Sequence, residues 1–279
     1  MTIVEVRTIQ DQDIQQITMD QIKRIQKNVG NSGITYKCPR CKDQGWVGYK
    51  GEDGYFFARE CECGIVSKKK MAGMLAFASI PDRYRTLVMA DFDTKWYGND
   101  QKFAENIKAA ARGYLGNYYM LEGRGLYIYS NTKGNGKTRL ACIIANELVK
   151  MGIIVKFATA GDILEEIKKS WDSNTEYGLM SDLKTAEVLV IDDFGTTSAK
   201  AWINEKFYQI INARYVSKRP TIFTSNCDLE TLERMQYDQR ITSRIKESCY
   251  MIMFPGCSVR DKKNAENQME MKGWLGVGK

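Results

Sequence analysis

The sequence predicts an α/β protein with a mostly parallel central sheet covered by helices on both faces, preceded by a small cysteine-rich module. Three observations carry that expectation. From about Asp91 onward, short apolar runs alternate with helical ones. One apolar run leads into a glycine-bearing loop, Asn131 to Thr138, that opens a helix. Another, Val188 to Ile191, runs straight into Asp192 and Asp193.

Taken in order, residues 1 to about 34 are polar, with Ile9, Ile14, Ile17, Ile22 and Ile25 spaced as a loose helical stripe. Residues 35 to 66 are rich in Cys and Gly, and Lys68, Lys69 and Lys70 begin a basic connector. Helices are expected over Gln101 to Tyr119, Lys137 to Met151, Asp162 to Trp171 and Ala201 to Val216. Strands are expected over Gly125 to Tyr129, Ile153 to Phe157, Val188 to Ile191 and Thr221 to Thr224. The expected organisation is a helical segment plus cysteine module over 1–67, a connector over 68–95, the main domain over 96–262 and a flexible tail over 263–279.

Composition bounds the function. At 279 residues, 43% hydrophobic and 27% charged, the chain is ordinary for a globular protein with a sizeable core. Its net charge of +7 permits contact with a polyanion without demanding it. No apolar run approaches the ~20 residues of a membrane helix, and no signal peptide opens the chain, so a cytoplasmic location is expected. There is no histidine, which excludes histidine acid–base chemistry and histidine metal ligands.

The run Asn131-Thr132-Lys133-Gly134-Asn135-Gly136-Lys137-Thr138 has the form of a phosphate-binding loop. Backbone N–H groups and a helix N-terminus would face the phosphates of ATP. Gly134 and Gly136 remove the Cβ clash, Lys137 supplies a point charge, and Thr138 offers a hydroxyl to Mg²⁺. Asn131 stands where the motif has its first glycine, and asparagine tolerates left-handed backbone angles best among the other residues.

Asp192 and Asp193 end a buried strand, at the sheet edge where ligands sit. Asp192 is expected to hold Mg²⁺ and Asp193 to orient the attacking water. Asn226 ends a further strand and could position the water or the γ-phosphate; the bland alternative is a helix cap. Arg240 and Arg244 share a helix face, and Arg260 lies beyond them. On residue chemistry alone these arginines read more readily as a solvated basic face.

Cys38-Pro39-Arg40-Cys41 and Cys61-Glu62-Cys63 flank nineteen residues. Four thiolates suffice for a closed tetrahedral zinc site, and the glycines between the pairs suit a small hairpin. An iron–sulfur cluster or four unliganded thiols are the alternatives. The segment 161 to 185 interleaves Lys168, Lys169 and Lys184 with Trp171 and Tyr177, which suits single-stranded DNA or simply two amphipathic helices.

These spaced pieces resemble the AAA+ helicase loaders of the DnaC/DnaI type and their relative IstB. The resemblance covers about residues 80 to 262. It runs from Ile80-Pro81-Asp82-Arg83-Tyr84-Arg85 and Phe92 through the phosphate loop, Ile191-Asp192-Asp193-Phe194-Gly195, Thr224-Ser225-Asn226 and Arg240-Ile241-Thr242-Ser243-Arg244-Ile245. It implies an AAA+ domain that binds ATP and self-associates, with Asn226 as sensor 1 and Arg260 as sensor 2 in cis. Arg244, with Arg240 as second candidate, would be the arginine finger for a neighbouring subunit. It also implies a zinc module that engages a DnaB-type replicative helicase, with single-stranded DNA as a further ligand. Asp193 stands where many AAA+ enzymes carry glutamate, which suits slow hydrolysis in an assembly switch. The other readings are an IstB-like ATPase assisting a transposase and a nucleotide-gated adaptor without catalysis.

Overall fold

The computed structural model describes residues 3–6, 15–18, 36–51, 55–173, 176–196 and 198–275. The chain divides into two compact units, Met1–Gly73 and Met74–Lys279.

In the first unit, β1 (Ile3–Val6) and β2 (Gln15–Thr18) pair antiparallel, with Val4 opposite Ile17. The expected helical stripe is therefore a strand at Ile17; Ile9, Ile14, Ile22 and Ile25 lie outside the described residues. Both segments are rich in β-branched residues, whose strand preference outweighs a loose helical spacing. The expected hairpin forms between β3 (Trp46–Lys50) and β4 (Phe56–Glu60), with Trp46 opposite Glu60. Gly45 enters it with φ +84°, and a Cβ there would stand 2.4 Å from Val66 Cγ2. The lysine-bearing connector begins as helix α1 (Ile65–Ala78), with Lys68, Lys69 and Lys70 exposed. Its apolar residues form no single stripe, so periodicity gave no signal.

The second unit is built on five parallel strands: β5 (Gly125–Tyr129), β6 (Val155–Thr159), β7 (Val188–Phe194), β8 (Thr221–Ser225) and β9 (Cys249–Met253). Their order across the sheet is β6-β7-β8-β5-β9. Leu126, Tyr127 and Ile128, and every residue from Val188 to Ile191, are buried. That is why these strands read as unbroken apolar runs rather than alternating ones. The helices are α2 (Gln101–Gly116), α3 (Lys137–Lys150), α4 (Ala160–Ser173), α5 (Glu176–Thr185), α6 (Ala201–Val216), α7 (Leu229–Arg234), α8 (Gln239–Ser248) and α9 (Val259–Leu275).

Three parts differ from expectation. β9 was not anticipated, because its methionines carry weak strand preference; it gains its place by pairing with β5. Helix α5 has no counterpart among the individually bounded helices expected above, although two amphipathic helices over 161 to 185 are one of the two readings of that stretch. The expected flexible tail is helical to Leu275, although no α9 residue is buried. Its first turn is held in place: Ser258 caps it by accepting from the Asp261 N–H at 3.2 Å, and Lys262 donates to Trp96 O at 2.9 Å.

One buried cation organises the core. Arg214 of α6 is 1% exposed. It donates to the carbonyls of Leu183 (3.0 Å), Ala186 (2.8 Å) and Pro220 (2.7 Å), and to Thr221 Oγ1 at 3.0 Å. The guanidinium thus closes the C-terminal end of α5, where the helix dipole favours a cation, and ties it to the strands beside it. Burial pulls its pKa down to about 9.

Candidate functional site: a phosphate cleft and a four-thiol cluster

β5 ends at Tyr129, and the chain turns through the glycine loop into α3 at Lys137. The turn needs left-handed backbone at Gly134 (φ +75°) and Gly136 (φ +99°). A Cβ at Gly134 would stand 2.8 Å from Ser258 Oγ and 2.9 Å from Arg260 Cβ, and one at Gly136 would stand 2.9 Å from Tyr97 Oη. Asn131 is not among the residues with positive φ. The tolerance of asparagine for left-handed angles is therefore not what closes the loop, and the missing first glycine leaves no strain.

Lys137 is only 5% exposed, and its ammonium donates to Thr132 O (3.0 Å) and Asn135 Oδ1 (3.1 Å). Burial pulls its pKa down to about 8 against the attraction of Asp193 and Asp192. The crown of the loop is fixed from outside. Tyr97 donates its hydroxyl to Asn135 O at 2.6 Å, and Asn135 Nδ2 donates to Pro255 O at 3.2 Å. The Arg260 N–H donates to Gly134 O at 2.9 Å, which brings the start of α9 onto the loop.

Lys137, Thr138, Asp193, Asn226 and Arg260 line one cleft of about 680 Å³. Asp192 lies buried beside it and accepts from the Thr138 hydroxyl at 2.8 Å. Burial raises the Asp192 pKa, although the Thr224 and Thr138 hydroxyls favour its charged form. A helix N-terminus, a buried cation and a hydroxyl–carboxylate pair are the donor set a nucleotide triphosphate with its divalent cation requires. Arg83, Tyr84, Lys263 and Asn264 line the same cleft, and no role was assigned to them from sequence. They come from segments far from the loop in sequence, so only the fold reveals them.

Other expected site residues stand elsewhere. Asn131 and Thr132 do not line the cleft; Thr132 instead donates its hydroxyl to Gly256 O at 3.2 Å. Arg240 and Arg244 stack on the Tyr208 ring at 4.4 and 5.2 Å, outside this chain's cleft. Arg240 pairs with Asp238 at 2.7 Å, and Arg244 Nε donates to Asn212 Oδ1 at 2.7 Å. In the segment 161 to 185, Lys168 lies over the Trp202 ring at 5.3 Å and Lys169 pairs with Glu165 at 2.7 Å. The side chains of Trp171 and Tyr177 lie outside the described residues.

In the first unit, Cys38, Cys41, Cys61 and Cys63 bring their sulfurs within 4.8 Å of one another. Cys38 and Cys61 are 3.7 Å apart, and Cys41 and Cys63 are 3.6 Å apart. Four sulfurs bound tetrahedrally at about 2.3 Å stand about 3.8 Å apart, so the cluster fits such an ion. The first knuckle turns through left-handed Lys42 and Asp43. The Asp43 carboxylate accepts from the Cys38 N–H at 2.8 Å. The backbone N–H of Cys41 leads in pulling the Cys38 thiol down to about 7.

The family model for IstB-like ATP binding proteins matches residues 61–267. The protein XkdC of the phage-like element PBSX of Bacillus subtilis is 26% identical over 265 residues, which cover 88% of this chain and 94% of that protein. The replicative helicase loader DnaC of Escherichia coli K12 is 31% identical over 122 residues, which cover 43% of this chain. That alignment spans about half, 49%, of DnaC. A crystal structure of DnaI superposes with a TM-score of 0.54 at 28% identity, covering 63% of this chain and 95% of that one. AMPPCP-bound DnaA from Aquifex aeolicus shares the fold, with a TM-score of 0.54 at 21% identity, covering 69% of this chain and 56% of that one.

Proposed function

This chain belongs to the IstB-like ATP-binding proteins, and on that premise we propose that it is an ATP-dependent helicase loader. In this reading it binds a DnaB-type replicative helicase and single-stranded DNA in the cytoplasm, and ATP binding and slow hydrolysis switch assembly and release. One observation carries the ATP reading: Lys137, Thr138, Asp193, Asn226 and Arg260 converge on one cleft at a helix N-terminus. The homology to proteins named helicase loaders supports the biological role.

Each residue then has a task. The backbone from Lys133 to Thr138, with the Lys137 ammonium, holds the phosphates. Thr138 and Asp192 would hold Mg²⁺, which neutralises charge on the β- and γ-oxygens when bound. Asp193 and Asn226 orient the water that attacks the γ-phosphorus as the bond to the leaving ADP oxygen breaks. Arg260 faces the γ-phosphate in cis. Arg244, with Arg240 beside it, serves the cleft of a neighbouring subunit, which fits their position off this chain's own cleft. The four cysteines hold zinc and shape the helicase-docking module.

The test is co-purification of the full chain with the hexameric replicative helicase of its host, with and without ATP. Binding that is lost in a Cys38→Ser, Cys41→Ser double variant supports the reading. An ATP-hydrolysing chain that binds no helicase overturns it, leaving transposase assistance as the reading to test.

A further inference from the structure

Asp192 and Asp193 are adjacent in a strand, so a regular pleat would send their side chains to opposite faces. Both nevertheless serve the same cleft edge: Asp192 accepts from Thr138, and Asp193 lines the cleft. The reason is a β-bulge. Ile191 of β7 stands opposite Phe223 of β8, and Phe194 opposite Ser225. Two residues, Asp192 and Asp193, therefore face one, Thr224. Asp193 takes left-handed backbone (φ +54°), which aspartate accepts more readily than a longer or branched side chain.

We propose that Thr224 is the positioning residue that sets this bulge and aims both carboxylates. Thr224 is fully buried. Its hydroxyl donates to Asp192 Oδ1 and accepts from the Asp193 N–H at 3.0 Å. One oxygen thus replaces the ladder bond the bulge removes and anchors the carboxylate that stands against Thr138. Without it, the Asp193 N–H loses its partner at a strained residue, and Asp192 loses one of its two hydroxyl donors. The proposal rests on reading the cleft as an ATP site, and it assigns Thr224 to the geometry of hydrolysis rather than to nucleotide affinity.

The experiment compares Thr224→Val, which keeps shape and loses the hydroxyl, with Thr224→Ser, which keeps the hydroxyl. Expected for valine is a fall in kcat for ATP hydrolysis of about 10- to 100-fold, with nucleotide affinity measured without Mg²⁺ nearly unchanged. Serine restores most of kcat. If the valine variant does not fold, Thr224→Cys carries the same expectation, because a thiol donates weakly. Valine activity equal to wild type overturns the proposal, and so does a serine loss as large as the valine loss. If the wild type shows no hydrolysis above a Lys137→Ala background, the ATPase reading fails first. The strengthening of nucleotide binding by Mg²⁺ then decides on Thr224: its loss in valine supports the bulge role, and its survival overturns it.

Discussion

The phosphate cleft and the cysteine cluster both gather distant residues around a point, but they are held in opposite ways. The cleft sits on a sheet whose central strands are buried along most of their length, and its loop is pinned by Tyr97, Asn135 and the start of α9. The cluster has almost no core: buried Cys38, Cys41 and Cys61, with Val47, Cys63 and Ile65 against them. A segment this small cannot bury enough apolar surface to offset its ordering entropy. The cleft is therefore shaped before its ligand arrives, whereas the cluster, in the zinc reading proposed above, would depend on its metal for its shape.

The largest expected effect breaks the weaker side. Structural zinc sites of this donor type contribute about 10–16 kcal/mol of apparent binding free energy. Chelation, or Cys38→Ser with Cys41→Ser, should expose residues 38–63 to proteolysis while the melting of the second unit stays in place. Metal analysis should find about one zinc per chain. A metal-free wild type with a protected module would remove the contrast.

Next comes the core that supports the cleft. Arg214→Met takes the guanidinium away from the carbonyls of Leu183 and Ala186 and leaves Pro220 O with only the Leu189 N–H, and should cost about 3–5 kcal/mol in denaturant unfolding. An unchanged midpoint would show that Arg214 merely fills space.

Lys137→Ala should cut ATP hydrolysis about 100-fold or more, to background. Its melting temperature should hold or rise, because a desolvated cation is removed from a preformed loop. Unchanged hydrolysis would sink the site assignment, and a large melting loss would show that the loop is not preformed.

The smallest effect is protonic. The Lys137 pKa is lowered by burial to about 8, and a bound phosphate favours the charged amine. Nucleotide binding near pH 8 should then take up about half a proton, seen by calorimetry in buffers of different ionisation enthalpy. For the free protein the sign is that of a depressed lysine: stability rises as pH climbs from about 8 toward the ordinary lysine value, since the unfolded chain holds more protons there. Zero proton uptake would place Lys137 in a wetter site than its burial indicates.

Much of this was legible in the sequence because the signals are local. Gly134, Gly136, Lys137 and Thr138 sit on consecutive backbone, and the apolar run Val188 to Ile191 declares a central strand. The Cys38–Cys41 and Cys61–Cys63 pairs announce a shared site by spacing alone. Where signals were weak, neighbours decided. The methionines of β9 became a strand only because β5 offers a ladder. Arg214 became a core residue only because five carbonyls converge on it. The α9 helix carries no apolar stripe to mark it.

By itself, then, the sequence determined the chemistry: which side chains carry charge, hydroxyl or thiol, and that glycines open the loop. The tertiary structure alone decided their aim. Strand register places two aspartates opposite one threonine, and that mismatch turns both carboxylates to one cleft edge. Register is a relation between strands, set by how buried faces pack, so no single stretch of chain encodes it.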